Sequence, residues 1–204
     1  MPRAGWTMNV SSEEKRDRLL EAAMAILQSV PGGRMKIVNL NKALFYLDLV
    51  ALQRTGETVT GNAYIALHQG PVVAKYPQRL LKPLESSGLA QQETNGREKP
   101  VVLRRPIGSF RYMDVGLQRL AAAVAKRIGP DTAASVSDLS HENPGWQLAY
   151  EMGQKHGAPP VPINMLIALQ QLADDDPWLG QGIDDDEELR ALIDTVDAHA
   201  SEPW

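Results

Sequence analysis

The sequence predicts a mainly α fold with a small antiparallel β-sheet or hairpin, an α+β class, on three observations. Apolar residues recur at helical spacing in three long stretches, 11–29, 36–54 and 117–128. Two short runs, near 89–94 and 101–105, flank the turn-like Thr94-Asn95-Gly96-Arg97-Glu98, which is the layout of a hairpin. Paired glycines and prolines punctuate the chain between these stretches.

The first helix begins at Ser11-Ser12. Ser11 and Glu14 have capping-box spacing, which satisfies N–H groups that a helix start leaves without partners. Leu19, Leu20, Ala23, Ile26 and Leu27 supply its apolar face, and Val30-Pro31-Gly32-Gly33 ends it. Residues 36–54 are apolar on nearly every side, as expected of a helix surrounded by other elements. Its few polar residues include Asn41 and Asp48, which need partners if buried, because an unpaired buried polar group costs about 1–3 kcal/mol. Thr55-Gly56-Glu57 closes that helix, and Tyr64–Leu67 reads as a short strand. Gly70-Pro71 is expected to turn into a further helix, with Pro71 in its first turn and Val73, Tyr76, Leu80, Leu81 and Leu84 on one face, ending at Gly88. After the hairpin, Leu117, Leu120, Ala121, Val124 and Ile128 mark a helix that stops at Gly129-Pro130. A shorter helix is expected over about 132–139, and Ser140 to Trp146 reads as a tight irregular segment. Residues 157–162 read as a stiff extended linker, 163–172 as a helix, and 184–196 as an acidic amphipathic helix presenting Leu189, Leu192, Ile193 and Val196.

The 204 residues suffice for one domain with a sizeable core and additional terminal segments. No apolar run approaches the ~20 residues that cross a bilayer, and the first residues lack an apolar signal core. The expected location is therefore the cytoplasm, with no membrane partner. The absence of cysteine excludes disulfides, thiol nucleophiles and cysteine-bound zinc. The charge is polarised: residues 1–130 carry 19 Lys and Arg against 10 Asp and Glu, while residues 131–204 carry 2 against 15. Either the acidic end covers a basic face of the body, or the two ends meet different partners; a solvated tail is the plainer reading.

No catalytic constellation stands out. His141-Glu142 begins like HExxH, but position 145 is glycine. There is no nucleophile elbow and no phosphate loop. Asp174-Asp175-Asp176 and Asp184-Asp185-Asp186-Glu187-Glu188 lack the alternating ligands and the glycine of a calcium loop. Arg97, Lys99, Arg104, Arg105 and Arg111 cluster around the hairpin. Phosphate contacts need such charges, and a helix before a hairpin has the order of a winged helix. Hairpins also use cations to blunt exposed edges, so nucleic acid is not the expected partner.

Several blocks taken together resemble a known family. Asn41-Lys42-Ala43-Leu44-Phe45-Tyr46-Leu47-Asp48, Arg54-Thr55-Gly56, Tyr64-Ile65-Ala66, Gly70-Pro71-Val72 and then Leu139-Ser140-His141-Glu142 with Trp146 are similar, in order and spacing, to the SocA-like antitoxin, or Panacea, domain. The resemblance spans roughly 36–150 and divides the chain into an N-terminal helix and tail (1–35), a compact helical Panacea-type domain (36–156) and an acidic C-terminal extension with one or two helices (157–204). It implies an antitoxin that neutralises an adjacently encoded toxin by direct protein–protein contact, with a translation-blocking enzyme the expected toxin. A proteolytic adaptor is another mode that the resemblance implies, and a DNA-binding regulator is the alternative from the residues. It implies no enzymatic activity and no cofactor. A homodimer, or a heterotetramer with the toxin, is compatible with it. Read from the residues, Tyr46, Asp48, Gly56, Gly70, Pro71, Val72, His141, Glu142 and Trp146 are expected to maintain the fold, with His141, Glu142 and Trp146 locking the Gly70 turn. The acidic residues at 174–176 and 184–188 are candidate toxin contacts.

Overall fold

The computed structural model describes residues 11–93, 99–129, 138–156 and 159–174. Helix α1 (Ser12–Ser29) starts where the sequence placed it, with the Ser11 hydroxyl accepting from the Glu14 N–H at 3.1 Å. A short 3₁₀ turn (Pro31–Gly33) leads into strand β1 (Arg34–Lys36) and then helix α2 (Ile37–Thr55). Every residue from Asn39 through Ala51 is buried, so over that stretch α2 has no face left for water. Gly56, at φ +77°, caps its C-terminus in the left-handed conformation. Helix α1 and α4 (Val115–Ile128) pack on α2 and on each other, joining Leu19, Ile26, Leu44, Leu47, Ala121 and Val124 in one core. Each fully buried large apolar side chain contributes about 1.5–3 kcal/mol.

Strands β2 (Tyr64–Leu67) and β3 (Gly70–Val73) form an antiparallel hairpin with Ala66 opposite Pro71. The expected helix beginning at Gly70-Pro71 is therefore corrected: 70–73 is a strand, and helical structure begins only with a π-turn (Pro77–Leu81) that continues into α3 (Lys82–Ser86). Proline is tolerated here because the Ala66 N–H points away from β3, to the Val161 carbonyl. The pair is thus a non-hydrogen-bonded one, and Pro71 forfeits no bond to β2. Strands β4 (Ala90–Gln92) and β5 (Pro100–Leu103) pair antiparallel as the hairpin pattern predicts, and β1 adds to the far side of β5 to give the order β1-β5-β4.

Residues 138–141 are helical, and after a bend helix α5 (Pro144–His156) follows. This corrects the irregular reading of 140–146. Asn143, Pro144 and Gly145 look like a turn in sequence, yet here they start a helix. The Asn143 side chain accepts from the Trp146 N–H at 3.1 Å, and Pro144 occupies the first turn. Gly145 is required by proximity: a Cβ there would lie 2.8 Å from the Ala168 Cβ and 2.9 Å from the Asn164 oxygen. Residues 159–162 are extended as expected but are held to β2, through Ala66 N–H to Val161 O at 3.2 Å and Ile163 N–H to Tyr64 O at 2.8 Å. Two short helices, α6 (Met165–Ala168) and α7 (Gln170–Asp174), replace the single helix expected over 163–172. Most of the helix expected at 132–139, all of that at 184–196, and the hairpin turn at 94–98 lie outside the described residues.

Gly70 is the tightest point of this arrangement. Its φ is +111°, and a Cβ would lie 2.5 Å from Lys42 Cε and 2.6 Å from Ser140 Oγ. Gly70→Ala is expected to destabilise the protein by about 3 kcal/mol, lowering the Tm by roughly 10 °C. Gly32→Ala, where φ is +69° but nothing lies within 4 Å, should cost only about 1 kcal/mol. Thermal unfolding of the two variants checks the difference.

Candidate functional site

Two buried clusters organise the residues singled out in the sequence, and both start from polar positions on α2. The first surrounds Asp48, which is fully buried. Its Oδ1 accepts from the Thr60 N–H at 2.8 Å, and its Oδ2 accepts from the Thr60 hydroxyl at 2.5 Å. The Tyr64 hydroxyl lies 2.7 Å from the same Oδ2 and 2.9 Å from the Leu44 carbonyl oxygen. Asn62 extends the cluster to α1 by donating to the Lys15 carbonyl at 3.0 Å. Burial pushes the Asp48 carboxyl up to about 6, against the donors from Thr60, Tyr64 and Val59, which favour its charged form. The Tyr64 phenol is raised as well, by burial first and then by the neighbouring carboxylate. Phe45 packs edge-on against both Tyr46 and Tyr64, with centroids 5.3 Å away in each case.

The second cluster joins α2 to the C-terminal part of the fold through the β2–β3 turn. The Tyr46 hydroxyl sits 3.2 Å from the Leu139 carbonyl oxygen and 3.1 Å from Gln171 Oε1. Burial raises its pKa; the Gln171 bond opposes that shift and the Glu142 charge adds to it. Asn143 is buried and donates to the Ala168 carbonyl and to Gln171. Lys42 is buried beneath Gly70 and beside Ser140. Desolvation lowers its pKa to about 8, and the Asp138 carboxylate partly offsets this. Asn41 donates to the Ile37 carbonyl and accepts from the Val73 N–H, so it ties α2 to β3.

Over the turn, three rings form a column. His141 stacks on Trp146 at 4.2 Å and 18°, and Trp146 stacks on Tyr150 at 4.7 Å and 12°. Trp146 Nε1 donates to the Leu67 carbonyl at 3.1 Å, and His141 Nε2 donates to the His68 carbonyl at 3.1 Å. The His68 ring closes the column, with Nδ1 3.3 Å from the Tyr150 hydroxyl. The structure thus brings His141 and Trp146 to the turn that ends in Gly70, while Glu142 is exposed. Pro71 and Val72 are buried in β3, and Gly56 lies apart at the C-terminus of α2.

The basic residues of the hairpin do not converge. Arg97 lies outside the described residues. Lys99, at φ +42°, precedes β5 and borders a groove with Lys36 and His68. Arg104 is exposed just past β5, and Arg105 donates to the Ser87 carbonyl at 3.3 Å. Arg111 lies over the Tyr112 ring at 5.0 Å, with Arg18 at 5.2 Å from the same ring. Asp174 ends α7, and the other acidic candidates, Asp175, Asp176, Asp184, Asp185, Asp186, Glu187 and Glu188, lie outside the described residues. Among the described residues no group of three or more His, Asp or Glu could hold a metal ion, and no helix is long and apolar enough to cross a membrane. Thr60, Tyr64, Lys42, Ser140, Asn143 and Gln171 are the cluster members that the sequence reading did not assign. Each has cluster partners distant along the chain, although Asn143 also accepts from Trp146 and Thr60 from Asn62.

The Asp48 cluster sets a pH dependence. The folded carboxyl titrates near 6 against an ordinary 3.8, so folding is favoured by its protonation. That contribution is complete below about 4 and is lost as pH rises through about 6. Asp48→Asn removes the titration. The stability difference, wild type minus Asp48→Asn, should therefore fall by up to about 3 kcal/mol between pH 4 and pH 6.5. Denaturant unfolding of both proteins at several pH values measures it, and a flat difference would contradict the assignment.

The family model of the antitoxin SocA-like Panacea domain matches residues 40–147, more than half of the chain. No curated protein and no solved structure matches. The matched stretch runs from within α2 to the start of α5 and contains Asp48, Thr60 and Tyr64 of the first cluster, Lys42, Tyr46 and Asn143 of the second, and the turn at Gly70, while Lys15, Ala168 and Gln171 lie outside it. The chain belongs to the SocA-like antitoxin family of Panacea-domain proteins.

Proposed function

We propose that this protein is the antitoxin of a toxin–antitoxin pair and that it silences its toxin by direct protein–protein contact. The observation that carries the reading is membership of an antitoxin family across the helical core. The geometry supports a binding role. Tyr46, Asp48, Gly70, His141 and Trp146 direct their polar atoms or their close approaches at the protein's own backbone and side chains. They build a rigid body and leave recognition to exposed positions. A stable complex of this kind buries roughly 1,600 Å² in total.

The toxin fits best as an enzyme that handles RNA or nucleotides to block translation. Such a site is basic, and residues 131–204 carry 15 carboxylates against 2 cations. The acidic stretches at 174–176 and 184–188 then act as a charge mimic in that site. The deletion that isolates this contribution begins at residue 175, because Ile163, Ala168 and Leu172 belong to the core.

The test is expression of the adjacent gene alone, with the full chain, and with residues 1–174. Growth arrest by the neighbour and rescue by the full chain are expected. Retained co-purification of the two proteins in a protease-deficient host would separate direct neutralisation from delivery to a protease. A neighbour that is harmless, or that does not bind, overturns the reading. Equal rescue by residues 1–174 overturns the charge-mimic part alone.

A further inference from the structure

Among the described residues four large apolar side chains are exposed, and three of them lie on two helices that pack together: Leu148 and Met152 on α5, and Leu166 on α6. Leu148 and Met152 are one helical turn apart and therefore neighbours on the α5 surface, 44% and 48% exposed. Beside them runs an open groove of about 490 Å³ lined by Pro144, Trp146, Gln147, Leu148, Tyr150 and Glu151. The Trp146–Tyr150 stack that borders it is held in place by the Leu67 carbonyl and the His68 ring. Immobilised aromatic side chains are the kind that concentrate binding energy at protein interfaces.

The described segments that build this face, 138–156 and 159–174, are net acidic. Asp138, Glu142 and Glu151 are exposed, and Glu151 borders the groove. Four carboxylates in those segments stand against a single Lys or Arg, Lys155 on α5. This combination discriminates among occupants. A nucleic acid or an anionic membrane would meet carboxylates. A second copy of this face would set carboxylate against carboxylate, and so would the chain's own acidic C-terminal stretch. A protein surface with an apolar patch ringed by lysine and arginine matches in both shape of contact and charge.

We propose that the α5 face centred on Leu148 and Met152 is the toxin-docking surface, and that it receives an apolar patch with a basic rim. The inference rests on the antitoxin reading and gives it a location on the folded body, independent of residues 175–204. The experiment uses the full chain and the neighbouring toxin, with affinity measured by calorimetry at two salt concentrations and folding followed by circular dichroism. Leu148→Arg with Met152→Arg should weaken binding on the order of a hundredfold. Glu142→Lys with Glu151→Lys changes only exposed positions and should weaken it about tenfold and flatten its salt dependence. Val115→Arg, on α4 at a residue 65% exposed, should bind as wild type. If both α5 double variants bind within about twofold of wild type, the docking surface is elsewhere and this inference falls while the antitoxin reading stands. If they alter self-association but not toxin binding, the face serves a second copy and the inference is equally overturned. A wild-type chain that binds no toxin overturns both.

Discussion

A helical stretch with no face toward water must satisfy its polar side chains inside the protein, and α2 from Asn39 to Ala51 carries several of them. Asp48, Asn41, Lys42 and Tyr46 are all buried. Each is an opportunity for a large penalty, since an unmet buried polar group costs about 1–3 kcal/mol and an unmet charge more. Each is therefore also a constraint on where other segments lie. Asp48 fixes Thr60 and Tyr64, Asn41 fixes Val73, and Tyr46 fixes Leu139 and Gln171. The Gly70 turn closes over Lys42. The order of the rest of the fold follows from these requirements: loop 56–63, the β2–β3 hairpin, the 138–143 bend and α7 are all pinned to one helix.

This division of labour separates scaffold from surface. Of the signature residues, Tyr46, Asp48, Gly70, Pro71, Val72 and Trp146 are buried and His141 bonds to the turn at His68, while Gly56 and Glu142 are exposed. The aromatic column is the junction between the two. Trp146 turns one edge to the Leu67 carbonyl and helps line the groove along α5, so the interaction that stabilises the turn also stiffens a surface. Cations are carried mainly by the segments through α4, whereas the described segments from 138 onward present carboxylates.

How much of this was legible in sequence differs by element, for physical reasons. Helix α2 was readable because its burial is written in continuous apolar composition, and α1 because Ser11 and Glu14 announce its start. Strand β3 was misread because proline after a turn fits a helix start as well as a non-hydrogen-bonded strand position. The choice was made by Val161, about ninety residues away. Helix α5 was missed because Asn143-Pro144-Gly145 has the composition of a turn, while here asparagine caps, proline begins the helix and glycine admits Ala168. Strand β1, only Arg34–Lys36, is too short to show periodicity. At the site, the placement of His141 and Trp146 against the Gly70 turn could be anticipated from residue types. The Asp48–Thr60–Tyr64 cluster could not, since nothing local marks threonine as the partner of a buried carboxylate.

The central claim is that the buried family residues form an inward-facing scaffold and that the partner is met on other positions. Amide hydrogen exchange of the free protein and of its toxin complex tests this most directly. The account predicts that α2 amides from Leu40 to Ala51 exchange only through global unfolding in both states. New protection on binding should appear along α5. Fast local exchange within α2 in the free protein, or binding-induced protection confined to β2 and β3 with α5 unchanged, would contradict it.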